Sequence, residues 1–118
     1  MKDGFLKAAA LSPGLRVADC AYNTRQILTE LRAAAARGVK LAVFPEFCLT
    51  GYTCGDLFLQ PTLLQQAQAA LEHIRTGSHG SDLITSVGAP LLFESKLYNC
   101  AVFIQNGRFL AVVPKTYL

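Results

Sequence analysis

Apolar runs and the turns between them divide the first part of the chain into a strand, a helix and a second strand. Phe5 to Leu11 is an apolar run closed by a Ser-Pro-Gly turn, which predicts a buried strand. From Asp19 to Arg37 apolar residues recur at helical spacing, with Asp19 as a plausible cap and Gly38 as the stop. Leu41 to Phe44 is too short for a helix and predicts a second buried strand. We therefore expect a crossover that returns the chain to the same sheet.

The remaining pattern predicts one more helix followed by short strands. After a loop from Pro45 to Pro61, leucine, alanine and isoleucine recur at helical spacing, and this helix is expected to end near Gly77. Four apolar runs then predict strands at Leu83 to Val87, Leu91 to Glu94, Tyr98 to Gln105 and Arg108 to Val113. Asn106-Gly107 joins the last two and is a strong signal for a two-residue hairpin. The chain is thus predicted to be one continuous α/β unit.

Composition indicates a globular chain with no nucleic-acid partner. Of its 118 residues, 52% are hydrophobic and 16% charged, which is ample material for a buried core. The net charge is only +3, and the basic residues are scattered instead of forming a run. The amino-terminal segment lacks the uninterrupted apolar core of a signal peptide, and nothing approaches a membrane-spanning length. We expect no membrane attachment and a cytoplasmic location.

The cysteines and histidines do not form a familiar metal-binding pattern. No C-x-x-C pair is present, and the two histidines are not at a zinc spacing from any cysteine. No metal site is expected, and the cysteines are interpreted as buried reduced thiols. The alternative is a catalytic thiolate at Cys48 or Cys54, but neither has a positioned histidine in the sequence.

Glu46 is the first candidate for chemistry. It directly follows the strand LAVFP and precedes a long loop, at the strand end where open α/β folds usually place their sites. Neighbouring aromatic residues would screen the carboxylate, raise its pKa and suit it to act as a general base. The alternative is an ordinary surface glutamate at a strand end. Tyr52 and Asp56 in the same loop either line a pocket, or the tyrosine packs and the aspartate caps a turn.

Lys115 is the second candidate, because it also follows a strand and a proline, in VVPK. A lysine fixed there could stabilise negative charge developing on a substrate oxygen. Taken alone, such a residue is as easily a solvated strand end. Attack on an amide would also require an activated thiol, an activated hydroxyl or a metal-bound water.

Five motifs give the chain a resemblance to a known family. VFPEFCLTGYTCGDLF, from Val43 to Phe58, resembles the signature around the catalytic glutamate of the nitrilase superfamily of carbon-nitrogen hydrolases. Its TGYTCGDLF portion is typical of the glutaminase domains of glutamine-dependent NAD synthetases. The similarity continues through VADCAYN, VGAP, YNCAVFIQNG and VPKTYL, and so extends over essentially the whole chain.

The resemblance implies an αββα sandwich and a Glu-Lys-Cys triad, of which this chain holds two members. Glu46 matches the general base and Lys115 matches the cation that stabilises the tetrahedral intermediate. The nucleophilic cysteine of the family lies beyond residue 118, so the four cysteines here do not occupy its position. Residues 1–118 are therefore expected to be an incomplete glutaminase domain without activity of its own. Tyr52 is expected to border the substrate.

The resemblance also implies the reaction and the partners. Glutamine is the substrate, and ammonia from its side-chain amide passes to a synthetase domain of the same parent chain, which uses ATP and magnesium to convert deamido-NAD to NAD. No cofactor is expected in this chain, which lacks a phosphate-binding glycine loop. Two alternatives stay open: a stand-alone nitrilase-like amidase, and a non-catalytic oligomerisation or binding module.

Two structural expectations follow from this interpretation. The charged atoms of Glu46 and Lys115 should lie within roughly 3 to 6 Å of each other, where opposite charges strongly favour ionisation. Cys48 and Cys54 need not open into their cavity. Apolar surface meant for the remainder of the sandwich should be covered by another copy of the chain, which makes a homo-oligomer the expected assembly.

Overall fold

One mixed sheet with two helices on one face makes up the described part of the protein. A computed structural model of the chain describes residues 6–16, 19–45, 48 and 61–117, with 116 and 117 as backbone only. The helices are α1 (Cys20–Ala36) and α2 (Pro61–Gly77), and the strands are β1 (Ala8–Ala10), β2 (Leu41–Val43), β3 (Ile84–Phe93), β4 (Lys96–Gln105) and β5 (Arg108–Tyr117). The strand order is β1-β2-β3-β4-β5, parallel from β1 to β3 and antiparallel from β3 to β5. The α/β prediction is confirmed.

The predicted crossover is present at the start of the chain. β1 and β2 are parallel neighbours, with Ala9 opposite Ala42, and α1 connects them. β1 is shorter than the apolar run that predicts it, although Leu11 still follows the ladder by donating its N–H to Val43 O at 2.9 Å. Asp19 caps α1 as predicted, because its side chain accepts the N–H of Tyr22 at 3.0 Å. The local sequence signals therefore agree with the tertiary topology.

Asn23 fixes the entry into α1 from inside the core. Its side chain is fully buried, its Oδ1 accepts the Arg16 N–H at 2.7 Å, and its Nδ2 donates to Arg16 O at 2.8 Å. Both halves of the amide are thus used on the backbone of one residue, which mimics a pair of ladder hydrogen bonds. The segment before α1 is held against the helix by this contact.

Replacing Asn23 with alanine should destabilise the fold by about 1 to 3 kcal/mol, because two backbone groups at Arg16 lose their buried partners. Urea unfolding followed by circular dichroism measures the loss. Thr29→Ala on the same helix is the control, since Thr29 is exposed and bonds only within its own helix; its change should stay within about 0.5 kcal/mol. Equal effects of the two substitutions would show that Asn23 is not a special anchor.

The structure corrects one prediction about the sheet. The two short strands predicted at Leu83 to Val87 and Leu91 to Glu94 are a single ten-residue strand, β3, which runs through Gly88 and Pro90. A proline has no backbone N–H to donate, so within a sheet it is tolerated where its nitrogen faces no partner strand. Among the described residues β2 pairs only with residues 84–86 of β3, so at Pro90 the strand has a described neighbour, β4, on one side alone. The apparent break in the sequence is therefore tolerated within one strand.

Two tight turns connect the three antiparallel strands. Asn106 and Gly107 have φ values of 47° and 75°, and this confirms the predicted hairpin between β4 and β5. Glu94 and Ser95, with φ values of 49° and 64°, make the same kind of turn between β3 and β4. Positive φ is uncommon for these two residue types, so the sequence gives no signal for this second hairpin. The turn forms because the long β3–β4 ladder brings Phe93 and Lys96 opposite each other.

Both helices lie on the same face of the sheet. Thr85 and Val102 lie on one face of the sheet, because Thr85 pairs with Ile104 in β4, two residues from Val102. Residues of α1 share a cleft with Thr85, while residues of α2 share a cavity with Val102. The core between these layers includes Ile27 of α1, Ile74 of α2 and Val87 of β3, all fully buried. The opposite face carries the second set of alternating residues, among them Val43, Ser86 and Asn99.

Candidate active site

The strand that leads to Glu46 and the strand that contains Lys115 run toward the same edge of the sheet. β2, which leads to Glu46, is parallel to β3, and β5, which contains Lys115, is antiparallel to β4 and so parallel to β3 as well. The carboxyl ends of β2 and β5 therefore point the same way. β3 and β4 lie between them, which separates the two backbones by about 14 Å at ordinary strand spacing.

The register relates the end of β2 to the position of Lys115 along β5. Val43 lies opposite Ser86, which lies opposite Phe103, which lies opposite Ala111, so these four residues form one row across the sheet. Glu46 comes three positions after the first member of this row and Lys115 four positions after the last. The third row beyond this one contains Cys100 and Pro114, and Lys115 follows it directly. Glu46 lies outside the described residues.

Lys115 is the additional residue of a bulge in β5. Cys100 lies opposite Pro114 and Asn99 opposite Thr116, so Lys115 falls between two successive pairs. Its side chain is exposed. Bulges bend a strand and redirect side chains, and they are over-represented next to active sites. The sequence predicts that this lysine follows a strand ending at Val113, and this is wrong, because β5 continues to Tyr117 and contains it. The sequence also gives no signal for the bulge.

Cys48 is unsuited to act as a nucleophile. The side chain is fully buried, and its Sγ donates to Gly88 O at 3.6 Å. Burial raises the pKa of the Cys48 thiol to about 12, although the hydrogen bond to Gly88 opposes part of this change. Cys20 and Cys100 are also buried and form no disulfide, and burial raises the pKa of Cys100. The interpretation as buried reduced thiols is confirmed for these three; Cys54 lies outside the described residues.

Native Cys48 should resist alkylation at pH 8. With a pKa of about 12 in place of 9.0, the thiolate is about 10³-fold scarcer than in the unfolded chain. Because the pKa is higher in the folded state, this group stabilises the fold fully below pH about 9, and that contribution disappears as the pH rises towards 12. Iodoacetamide labelling with peptide mass spectrometry, with and without guanidinium, measures the difference. Rapid native labelling of Cys48 would contradict the buried assignment.

Asn99 adds a buried polar group to the same edge. It lies opposite Thr116, next to the bulge at Lys115, and only 3% of its surface is exposed. Within the described part of the chain its Oδ1 has no hydrogen-bond partner. Sequence reasoning did not single it out, although it is the asparagine of YNCAVFIQNG. A polar residue between apolar neighbours in a strand is the signal that could have identified it.

Glu46, Tyr52, Cys54 and Asp56 lie outside the described residues. The predicted approach of the Glu46 carboxylate to Lys115, and the place of Tyr52 beside them, therefore stay predictions. What the described chain provides is the frame: β2 and β5 run toward one edge of the sheet, with Lys115 on a bulge of β5 and Asn99 buried beside it.

The other charged contacts lie away from this edge. Lys40 and Asp82 precede β2 and β3, at the opposite edge of the sheet, and their exposed ion pair measures 2.9 Å. The Lys40 ammonium lowers the pKa of the Asp82 carboxyl through a hydrogen bond. Such exposed pairs contribute little to stability. Within the described ranges no three His, Cys, Asp or Glu side chains gather to hold a metal, and no helix is long and apolar enough to cross a membrane.

Comparison with known proteins gives a family match over almost the whole chain. The carbon-nitrogen hydrolase model matches residues 7–118. The glutamine-dependent NAD(+) synthetase of Mycobacterium tuberculosis (strain ATCC 25618 / H37Rv) is 41% identical over 115 residues, covering 98% of this chain. The enzyme of the same name from Oryza sativa subsp. indica is 34% identical over 113 residues, covering 88% of the chain. The chain spans only 17% and 15% of these two relatives.

Solved structures show the same fold. A glutamine-dependent NAD(+) synthetase from Cytophaga hutchinsonii superposes with a TM-score of 0.82 at 27% identity, over 96% of this chain and 19% of that one. A mutant of the amidase from Nesterenkonia sp. AN1 in complex with butyramide superposes with a TM-score of 0.83 at 21% identity, over 96% and 44%. A further amidase structure from Nesterenkonia AN1 is described as a nitrilase-superfamily member. The sheet and helices described above are therefore part of a nitrilase-type fold.

Proposed function

Because this chain belongs to the carbon-nitrogen hydrolase family, we propose that it forms part of the glutaminase domain of a glutamine-dependent NAD synthetase. The observation that carries the proposal is the exposed Lys115 on a bulge at the edge toward which β2 and β5 both run, since β2 leads to Glu46 in the sequence. The 41% identity to the Mycobacterium tuberculosis enzyme over 98% of the chain supports the choice of substrate. TGYTCGDLF supports it further.

The proposed reaction uses Glu46 and Lys115 together with a cysteine beyond residue 118. Glu46 takes the proton of that thiol, and the thiolate attacks the side-chain carbonyl carbon of glutamine. The Lys115 ammonium stabilises the oxyanion that forms. The carbon-nitrogen bond then breaks, and ammonia leaves with a proton returned by Glu46. Water hydrolyses the glutamyl thioester to glutamate and restores the thiol.

Ammonia is the useful product in this proposal. It would pass to a synthetase domain of the parent chain, where ATP and magnesium support the amidation of deamido-NAD. The present sequence contains no phosphate-binding glycine loop, so binding of ATP is not assigned to residues 1–118. The buried cysteines, which form no disulfide, suit a reducing, cytoplasmic setting.

A stand-alone amidase is the second candidate, favoured by the TM-score of 0.83 to the amidase from Nesterenkonia sp. AN1. At 21% identity that likeness concerns the fold only. Sequencing the coding region beyond residue 118 distinguishes the candidates. A cysteine in a strand-to-helix turn followed by a synthetase domain supports the proposal; the cysteine turn alone supports an amidase; an immediate stop codon supports a non-catalytic module.

Exposed apolar side chains on β5 should make the purified chain self-associate. Phe109, Leu110, Val112 and Val113 are each between 42% and 51% exposed, and β5 is the last strand of the described sheet. A contiguous apolar patch and an uncovered strand edge are both unusual on a soluble monomer. Light scattering over a range of concentrations should therefore give a mass above that of one chain. A well-behaved monomer that binds no hydrophobic dye would contradict this.

A further inference from the structure

The tip of the β4–β5 hairpin carries a chemical reactivity that the proposed reaction does not use. Asn106 and Gly107 form this turn, and they are the one Asn-Gly pair in the sequence. Asparagine followed by glycine is especially prone to deamidation, because glycine has no side chain to hinder attack by its backbone nitrogen on the asparagine amide. Asn106 is exposed, so water has access to it. We propose that Asn106 is a deamidation site that the folded hairpin holds in an unreactive conformation.

The modification needs only water as a second reactant. The backbone nitrogen of Gly107 attacks Cγ of Asn106, and the new carbon–nitrogen bond closes a cyclic imide. The proton of that nitrogen passes through solvent to the side-chain amide, whose carbon–nitrogen bond breaks as ammonia leaves. Water then opens the imide at either carbonyl. The product is aspartate, or isoaspartate, in which the main chain continues through the former side-chain carboxyl.

The conformation of the turn opposes this ring closure. Asn106 and Gly107 have φ values of 47° and 75°, in the left-handed region that a type I′ hairpin turn requires. To close the imide, the Gly107 nitrogen must lie on the same side of the Asn106 Cα–C bond as Cβ. In a left-handed residue that nitrogen lies nearly opposite Cβ. The peptide between the two residues must therefore rotate out of the turn before it can react.

Hydrogen bonds to the segment between α2 and β3 oppose that rotation. The attacking nitrogen is held because the Gly107 N–H donates to Ser78 Oγ at 2.9 Å. The attacked amide is held because Asn106 Oδ1 accepts the Gly80 N–H at 2.7 Å. Arg75 Nη1 also donates to Gly107 O at 3.0 Å. Modification should start from a locally open state in which these bonds are broken, so its rate reports how often the hairpin tip opens.

The two products differ in what they do to the hairpin. Aspartate retains an oxygen that can accept the Gly80 N–H. Isoaspartate adds a backbone carbon to a turn whose flanking residues, Gln105 and Arg108, are paired directly. A two-residue connection has a fixed geometry, so this addition should loosen the start of β5. Because the inference depends on the turn and its contacts, it stands apart from the proposed reaction.

Incubation of the full chain at mildly alkaline pH, with and without urea, tests the proposal. Peptide mass spectrometry locates deamidation, and enzymatic isoaspartyl methylation detects isoaspartate. Deamidation is expected at Asn106 ahead of Asn23 and Asn99, and more slowly in the native chain than in urea. Ser78→Ala removes one bond to the turn and should raise the native rate about 2- to 10-fold while leaving the rate in urea unchanged. Thr76→Ala is the matched control at an exposed hydroxyl that bonds within α2, and it should change neither rate.

Equal rates with and without urea would show that the folded turn does not protect Asn106, and a native Ser78→Ala rate equal to that of the parent would refute the role of the contact. Should Ser78→Ala fail to fold, Arg75→Leu removes the bond to Gly107 O and must raise the native rate in the same way. Glu72→Gln is its control, since it removes the Glu72–Arg75 ion pair without removing the donor to Gly107. An Arg75→Leu rate no higher than that of Glu72→Gln would overturn the proposal.

Discussion

The 118-residue chain alone should release no ammonia from glutamine above the uncatalysed background. The members of a nucleophilic triad act as a unit, and removing the nucleophile of such a triad costs roughly 10⁶-fold in rate. Lys115 and Glu46 can polarise an amide or accept a proton, but neither forms the covalent intermediate. A coupled glutamate dehydrogenase assay on the purified chain, with glutamine in excess, measures the rate directly.

Activity that depends on Cys48 or Cys54 would contradict that result most directly. Robust ammonia release abolished by Cys48→Ala or Cys54→Ala would make that thiol the nucleophile. For Cys48 this outcome would also conflict with its complete burial and with a pKa of about 12. Activity unaffected by both substitutions would point to a contaminating glutaminase. A parallel purification from cells that lack the chain identifies such a contaminant.

Supplying the remainder of a relative should restore activity and make it depend on Glu46 and Lys115. We consider a chimera in which this chain replaces the matching segment of the Mycobacterium tuberculosis synthetase, to which it is 41% identical. Glu46→Gln should lower kcat for ammonia release by about 10² to 10⁴, as expected for loss of a general base. Lys115→Met should lower it by about 10² to 10³, as expected for loss of oxyanion stabilisation.

Matched substitutions separate catalysis from folding in the chimera. Glu94→Gln and Lys96→Met remove the same charges from exposed positions around the β3–β4 turn and should leave kcat within about twofold. NAD formation with added ammonia reports that the synthetase part is intact in every variant. If Glu46→Gln and Lys115→Met retain full glutamine-dependent activity while both controls do too, the assigned roles are wrong.

Local patterns were sufficient for most of the described fold because several signals agreed. In α1 the cap at Asp19 and the helical spacing up to Ala36 indicate the same element, and Asn106-Gly107 fits its hairpin on conformational grounds alone. The pattern failed at Pro90 and at Glu94-Ser95. There the outcome depends on which neighbouring strand is present and on the length of the ladder, and neither property belongs to the local sequence.

The candidate site was predictable only in part for a similar reason. The sequence predicts that Glu46 and Lys115 each follow a strand, but not that β2 and β5 run parallel with β3 and β4 between them, nor that β5 continues past Lys115. The place of Lys115 depends on the register and on one bulge. The burial of Asn99 and of Cys48 also results from packing, so residue type alone could not predict it.

The two irregularities in β5 determine where this segment can change in length during evolution. Ten residues of β5 lie against eight residues of β4, because one extra residue enters at Leu110 and another at Lys115. Each bulge absorbs one residue, so the residues that follow keep their partners in β4 and hence their faces of the sheet. Loss of Leu110 alone would therefore leave the later side chains on their present faces, whereas loss of a paired residue such as Val112 would turn the residues beyond it to the other face. Single-residue changes in the length of this strand should therefore be found at its bulges.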